Sequence, residues 1–238
     1  MTDTNHDESD VWPRYLENDA VQRALVIARH VATWNEEKLY GIELHAPEPD
    51  HMAVAAFAVV HEHQKSCLIL VQNGLLGSAS ALMRPSVEAL VRGLWLQWAD
   101  DAELLRFQKG EDSLNLERAI KLIVQRSGVA RYQDLLGMWT QSKRTLHGYV
   151  HHGYQSLIRR SGVFEVPPEE VVSLLIFSAS LAVHGAIEIT ELADKRAIPG
   201  QETSRREIVN KMQAELVAIL DALNLVDRKS SPAVRSAI

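Results

Sequence analysis

The amino-acid sequence predicts an all-α fold, a single-domain bundle of about seven or eight mostly antiparallel helices. Three observations predict it. Apolar residues recur at steps of three and four along nearly the whole chain, as on one helix face, and no segment alternates like a half-buried strand. Only 12 glycines and 8 prolines occur in 238 residues, too few for a loop-rich all-β protein. The connections are short, which favours antiparallel neighbours.

Turn and capping residues divide the chain into its helices. Pro85 allows two interpretations, either a new helix with the proline in its first turn or one long helix with a kink. Pro167, followed by Pro168 and two glutamates, is typical of a helix start, and Ser204 with Glu207 forms the capping-box pattern that would open the last helix. The predicted helices cover residues 18–40, 52–71, 75–98, 101–109, 113–126, 131–155, 167–196 and 204–227.

The domain organisation and the compartment follow from composition. We expect a disordered N-terminal tip at residues 1–12, one helical domain at 13–227 and a frayed tail at 228–238. The acidic start is typical of neither a signal nor a transit peptide. A single cysteine, Cys67, cannot form an internal disulfide, and it lies in an apolar run as an inert core residue would. These features predict a cytoplasmic protein.

The most apolar stretch, residues 171–187, raises the question of a membrane span. It contains no Asp, Glu, Lys or Arg, but it holds serines and His184. It also falls short of the ~20 apolar residues that a spanning helix needs. We therefore predict a buried core helix and no membrane partner.

A first group of charged residues lies in an apolar helix. Arg84, Glu88 and Arg92 follow one another at intervals of four, so that each neighbouring pair can touch on one flank. The surrounding residues are apolar nearly all round, which predicts that the helix is buried and its charges paired. Two interpretations stay open, an internal network that fixes packing or a pocket whose arginines bind a phosphate or carboxylate.

A second group is rich in histidine. Arg144, His147 and His151 share one face of a predicted helix, while His152 points about 100° away. Three interpretations stay open: ordinary surface and core histidines, a catalytic or anion-binding His151, and a metal site. The metal site would use the i, i+4 pair His147 and His151 together with a second such pair, His184 and Glu188. The sequence contains neither a zinc-protease nor a di-iron motif, and we predict no metal and no cofactor.

Two segments resemble a bacterial helical family of unknown function. In that family a run of small residues leads into Arg-Pro-x-x-Glu-Ala-x-x-Arg-Gly-x-Trp, and a Tyr-x-His-x-Gly element follows later. Residues 74–98 and 149–153 carry these patterns, although Val150 stands where the family has a hydroxyl residue. The matching residues of the first pattern are Arg84, Pro85, Glu88, Ala89, Arg92, Gly93 and Trp95.

The second group is also similar, more loosely, to domains of the HEPN superfamily. These helical domains carry an Arg, a polar residue and a His, here Arg144, Thr145 and His151. The resemblance implies a metal-independent endoribonuclease of a bacterial toxin or phage-defence system, acting as a homodimer. If Arg144 is not the partner of His151, then Arg84 or Arg92 would supply the cation from a neighbouring helix.

Three functions compete. The first is the ribonuclease, with His151 as general acid or base and arginine stabilisation of the phosphate. The second is a non-catalytic module that binds a partner protein or a small anionic ligand, with Arg84, Glu88 and Arg92 as a buried structural network. The third is a metal-dependent hydrolase. The candidate catalytic residues are His151, Arg144, Arg84, Glu88 and Arg92, and the candidate substrate-binding residues are Tyr149, Tyr154, His147 and His152.

The overall charge bears on the choice between these functions. The chain has 25 basic and 31 acidic residues and a net charge of −6, which argues against non-specific coating of nucleic acid. The segment from Lys143 to Arg160 nevertheless provides one local basic strip. RNA therefore stays on the list of expected partners, beside a small anion and a partner protein.

Overall fold

The computed structural model describes residues 13–39, 42, 46–111, 115–150, 166–196 and 202–230. Among them the chain consists of α-helices and one 3₁₀ turn, Arg14–Glu17, with no strand, which confirms the predicted all-α bundle. The helices are α1 (Asp19–Leu39), α2 (Glu48–Gln72), α3 (Leu76–Ala81), α4 (Met83–Trp98), α5 (Asp101–Gln108), α6 (Leu116–Ser127), α7 (Arg131–Val150), α8 (Pro168–Lys195) and α9 (Glu202–Ser230).

Helix α2 runs antiparallel to α8. Near the start of α2, the buried Asp50 carboxylate accepts a hydrogen bond of 2.7 Å from Arg196, which directly follows α8. About three turns further along α2, His61 Nε2 donates to the carbonyl oxygen of Ala182 at 3.0 Å. Residue numbers thus rise along α2 as they fall along α8, and polar contacts fix the register at two points.

Helix α2 is also antiparallel to α4. His63 Nδ1 lies 3.1 Å from Ser86 Oγ, and because that hydroxyl donates its proton to the carbonyl of Leu82, the imidazole is the donor here. Two turns away, the fully buried ring of Phe57 packs against Gly93. Since His61 and His63 each bind a different neighbouring helix, α2 forms the centre of the bundle.

Helix α8 supplies much of the core. It contacts α1, α2 and α9, and it is antiparallel to α9, as Asp194 bonds to Arg206 and Thr190 to Gln213. By length and composition α8 is able to cross a membrane, but 67% of its most apolar window is buried inside the bundle. Such burial is typical of the core helix of a globular protein.

The helix starts show where capping rules hold and where they do not. Pro85 lies in the first turn of α4 after the short α3, so the two-helix interpretation is confirmed. Asp100 and Glu103 form a reciprocal capping box at α5, with both hydrogen bonds at 2.9 Å. The box expected at Ser204 is wrong, because α9 already begins at Glu202. An acidic residue at that position favours the earlier start, since it lies beside the positive end of the helix dipole.

The predicted termini mostly lie outside the described residues. The expected tip at 1–12 is not among them, and neither are residues 231–238 of the expected tail. The part of that tail which is described, residues 228–230, continues α9. Helix α9 therefore continues three residues beyond the predicted helix end at 227.

Replacing Gly93 with alanine tests the contact between α2 and α4. A Cβ atom at position 93 would lie 2.8 Å from Cδ1 and Cζ of Phe57. Because this ring is fully buried, it can move aside only by displacing its own neighbours. We expect Gly93→Ala to lower the free energy of unfolding by about 1–3 kcal/mol, measured by urea denaturation.

The matched control is Gly137→Ala in α7. A Cβ there meets nothing within 4 Å among the described residues, so the higher helix propensity of alanine should add up to about 1 kcal/mol. Equal effects of the two substitutions would show that the close approach at Gly93 does not limit packing.

Candidate functional site

The first polar cluster joins the start of α4 to the last turn of α7. The Nε atom of Arg84 donates to Glu88 Oε1 at 2.8 Å, and Nη1 of the same guanidinium lies 2.7 Å from Nδ1 of His147. Because arginine is only a donor, Nδ1 of His147 is the acceptor in this contact. We name Arg84, Glu88 and His147 the α4–α7 cluster.

The α4–α7 cluster is at the protein surface, which corrects the prediction of a buried network. The side chains of Arg84 and Glu88 are 27% and 42% exposed, and His147 is exposed. Arg92 lies two turns further on, with its guanidinium 4.8 Å above the centre of the Phe107 ring, so this arginine faces α5. The apolar character of α4 comes instead from its other flank, where Met83, Val87 and Leu90 are buried.

The other predicted site residues are placed as follows. Arg144 is exposed on α7, three residues before His147, while the neighbouring Lys143 bonds to Glu117. Tyr149 is half-buried. His151, His152 and Tyr154 lie outside the described residues. The structure thus pairs Arg84 with His147 from another helix. The predicted partner of Arg84 or Arg92 was His151, which lies outside the described residues.

A cavity of about 1510 Å³ opens beside the α4–α7 cluster. It lies between the 3₁₀ turn, α3, α7 and α8, and its wall includes Met83 and Leu146, which directly precede Arg84 and His147. Tyr149 lines it as well. The wall combines apolar side chains with the charged Arg14, Glu17, Glu169 and Glu170. Hydroxyl groups are contributed by Ser78, Ser80, Ser142, Thr145, Ser173 and Ser180. Such a wall suits a ligand with both apolar and polar parts.

A second polar cluster was not identified from the sequence. The carboxylate of Glu188, 4% exposed, accepts hydrogen bonds from Arg131 Nη2 at 2.8 Å and from Tyr132 Oη at 3.0 Å. Arg131 also bonds to Glu191 at 2.7 Å, and Gln97 lies 3.4 Å from the other Glu188 oxygen. The sequence did contain one indication of this cluster: Glu188 and Glu191 lie three residues apart in the largely apolar α8. Buried carboxylates need partners, so these acids indicate an ion pair.

These two clusters separate the residues of the metal hypothesis. His147 is held by Arg84 and Glu188 by Arg131, while His184 is exposed on α8. Within the described ranges, no three His, Cys, Asp or Glu side chains are grouped so that they could hold a metal ion. The contacts of Glu188 are those of a structural ion pair between α7 and α8.

Burial perturbs several titratable groups. Burial lowers the pKa of His61 to about 4, although its hydrogen bond to the Ala182 carbonyl acts in the opposite direction. Partial burial lowers the pKa of His63 too. Burial also raises the pKa of the Cys67 thiol to about 11, which fits the predicted inert core residue. His61 thus serves as a neutral hydrogen-bond donor.

The fold and its clusters define a class, an all-α bundle with an arginine–histidine contact at the joint of two helices. The chain belongs to DUF6988, a family of unknown function whose model matches residues 57–218. Comparisons with curated proteins and with solved structures find no match. The matched range begins in α2 and ends in α9, and it contains the α4–α7 cluster. The expectation of a helical family of unknown function is confirmed at this level.

Removing Arg131 should expose the cost of the buried Glu188 carboxylate. We expect Arg131→Met to lower the free energy of unfolding by about 1–3 kcal/mol, less than for a wholly buried pair because the arginine is one-third exposed. Lys143→Met is the control: its side chain is 46% exposed, and its partner Glu117 is 40% exposed. That loss should stay below about 1 kcal/mol. Equal losses in urea denaturation would contradict a special role for Glu188.

The neutral His61 predicts a pH effect on stability. In the unfolded chain His61 has an ordinary pKa of 6.5, whereas in the folded protein its pKa is about 4. Between these two pH values the unfolded state therefore binds a proton that the folded state does not bind. Stability is therefore complete above pH 6.5 and falls as the pH drops towards 4, by up to about 1.4 kcal/mol per pH unit. His61→Gln keeps a donor for Ala182 and should flatten this slope. The same change at the exposed His30 should not, and equal slopes would refute the assignment.

Proposed function

We propose that this chain is a metal-independent endoribonuclease of HEPN type, belonging to a bacterial toxin or phage-defence system and working as a cytoplasmic homodimer. One observation carries the proposal: Arg84 and His147, from different helices, meet at 2.7 Å on the protein surface. A cation beside a titratable imidazole is the minimum that phosphodiester cleavage without metal requires.

The chemistry assigned to the α4–α7 cluster is a transesterification. His147 Nδ1, an acceptor in the observed contact, takes the proton of the ribose 2′-OH, and the 2′-oxygen attacks phosphorus. The bond to the 5′-oxygen breaks, and that oxygen receives a proton from a general acid, for which His151, four residues later, is our candidate. The products are a 2′,3′-cyclic phosphate and a 5′-hydroxyl, so atoms and charges balance.

Arg84 is assigned to the developing charge on the phosphorane. Its guanidinium is held at Nε by Glu88, so that Nη1 points at the imidazole. A phosphate oxygen that takes over the Nη1 contact would leave His147 Nδ1 free to act as the base. Glu88 is thus a positioning residue, and Arg144 on the same stretch of α7 supplies a second exposed cation.

Substrate contacts beyond the phosphate are assigned to the adjacent cavity. Tyr149 lies on its wall and offers a ring on which a base can stack. In the same scheme, His152 and Tyr154 contact neighbouring nucleotides. Arg92, whose guanidinium lies over Phe107, has a structural part in this proposal and no contact with the substrate.

A second candidate function is favoured by a specific observation. The charge of Arg84 is already shared with Glu88, and a cavity of about 1510 Å³ lies beside the pair. A non-catalytic module that binds a small anionic ligand or a partner protein would use the same residues. In that case the anion binds Arg84 and the rest of the ligand lies in the cavity, without cleavage.

The two functions are separated by RNA cleavage and anion binding measured on the same variants. We expect the wild-type protein to cut single-stranded RNA in EDTA and to leave 5′-hydroxyl ends. His147→Gln and Arg84→Gln should each lose activity by about 10²–10⁴-fold. His30→Gln, an exposed histidine on α1, is the control and should retain full activity. Thermal unfolding of each variant confirms that the fold is intact.

The outcomes assign the function. If the wild-type protein leaves RNA intact but inorganic phosphate raises its Tm, and Arg84→Gln abolishes that shift, the non-catalytic module is correct. If RNA is cut and His147→Gln cuts it equally well, the proposed active site is wrong. If neither RNA nor phosphate has an effect on the wild type, both candidate functions at this cluster fail.

A further inference from the structure

A second cavity, of about 410 Å³, lies between α1, α2 and α8, away from the α4–α7 cluster. Its volume is in the range of small-molecule sites. Most of its wall is apolar, contributed by Ala32, Leu39, Val54, Ala58 and Ile189. We name it the α1–α2 cavity.

Two buried amides in the wall of the α1–α2 cavity have polar atoms without partners among the described residues. Asn35 is 5% exposed and Gln64 1%. Both polar atoms of the Asn35 side chain and Oε1 of Gln64 have no hydrogen bond among the described residues, whereas Nε2 of Gln64 donates to the carbonyl of Ala28 at 2.7 Å. Each unpaired buried polar group costs about 1–3 kcal/mol. A packed core would place apolar residues here, so these amides point to a ligand.

The wall of the α1–α2 cavity carries no free charge among its lining residues. The two charged ones, Glu36 and Lys65, form an ion pair with each other and are 58% and 48% exposed at the rim. His61 also lines the cavity, and its Nε2 donates to Ala182. A charged ligand would lose its hydration without gaining a counter-charge. The occupant is therefore uncharged.

The unpaired atoms define the polar end of that ligand. They are one NH₂ group, Nδ2 of Asn35, and two oxygens, Oδ1 of Asn35 and Oε1 of Gln64. A primary carboxamide offers the complement, one carbonyl oxygen to accept and two N–H groups to donate. The terminal torsions of Asn and Gln are soft, so small rotations can aim these atoms into the cavity.

We propose that the α1–α2 cavity binds a small uncharged carboxamide with an apolar ring or short alkyl body. The carboxamide pairs reciprocally with Asn35 and gives its second N–H to Gln64. The apolar body contacts Val54 and Ile189. This site is independent of the proposed nuclease function, because it shares no residue with the α4–α7 cluster.

Benzamide is the test ligand, with benzoate and toluene as matched probes for charge and for apolar contact alone. We expect benzamide to bind wild-type protein in calorimetry and to raise its Tm, while benzoate and toluene do neither. Asn35→Leu should weaken benzamide binding at least about tenfold, as expected for loss of two hydrogen bonds. Gln64→Leu should weaken it less, because one bond is lost.

The control is Asn210→Leu, the same change at an exposed position of α9. It should bind benzamide like the wild type. Asn35→Leu should stay folded, since it removes unpaired polar atoms from the interior. The proposal is overturned if benzamide does not bind up to its solubility limit, if toluene or benzoate binds equally well, or if Asn35→Leu retains wild-type affinity. None of these outcomes decides the proposed nuclease function, which is tested separately by RNA cleavage.

Discussion

The bundle depends on the close contact of α2 with α4 and α8 around one ring. Phe57 is fully buried, its ring fills the space over Gly93, and its backbone and Cβ approach Gly185 of α8. A side chain at Gly93 would push α2 and α4 apart, since interiors are close-packed and leave little room to adjust. A Cβ at Gly185 would meet Phe57 at ordinary contact distances and His61 Nε2 at a tight 3.3 Å. Glycine in a helix interior costs about 1 kcal/mol against alanine, and at Gly93 that cost permits α4 to reach α2.

This close packing determines where polar groups can lie. The donors His61 and His63 reach acceptors on α8 and α4 because those helices are near, and burial keeps His61 neutral. The buried carboxylates Asp50 and Glu188 instead need arginines, which reach them from the ends of helices. Among the described residues, this pattern is broken by three side-chain atoms of Asn35 and Gln64 and by the indole Nε1 of Trp98. The two amides line the α1–α2 cavity, where a ligand can reach them.

Local sequence predicted the helices well and the clusters only in part. Apolar spacing, Pro85 and the Pro167 start gave α-helices close to the observed bounds, because these signals act within a few residues. Surrounding apolar residues wrongly suggested that Arg84 is buried, since the rotation of α4 against its neighbours depends on contacts such as Phe57 with Gly93. Arg131 and Glu188 are 57 residues apart, and no local pattern links them. Asn35 and Gln64, likewise, resemble ordinary polar residues of surface helices.

The net charge of −6 bears differently on the two sites. At physiological salt, exposed charges more than about 8 Å apart are largely screened, so distant acidic residues hardly affect a phosphate that is in contact with Arg84. They do weaken long-range attraction, and a site with few cations releases few counterions on binding. The RNA affinity proposed for the α4–α7 cluster should therefore depend only weakly on salt, unlike that of a basic nucleic-acid surface. Binding of the neutral ligand proposed for the α1–α2 cavity should show no such dependence, so that ionic strength separates the two proposals.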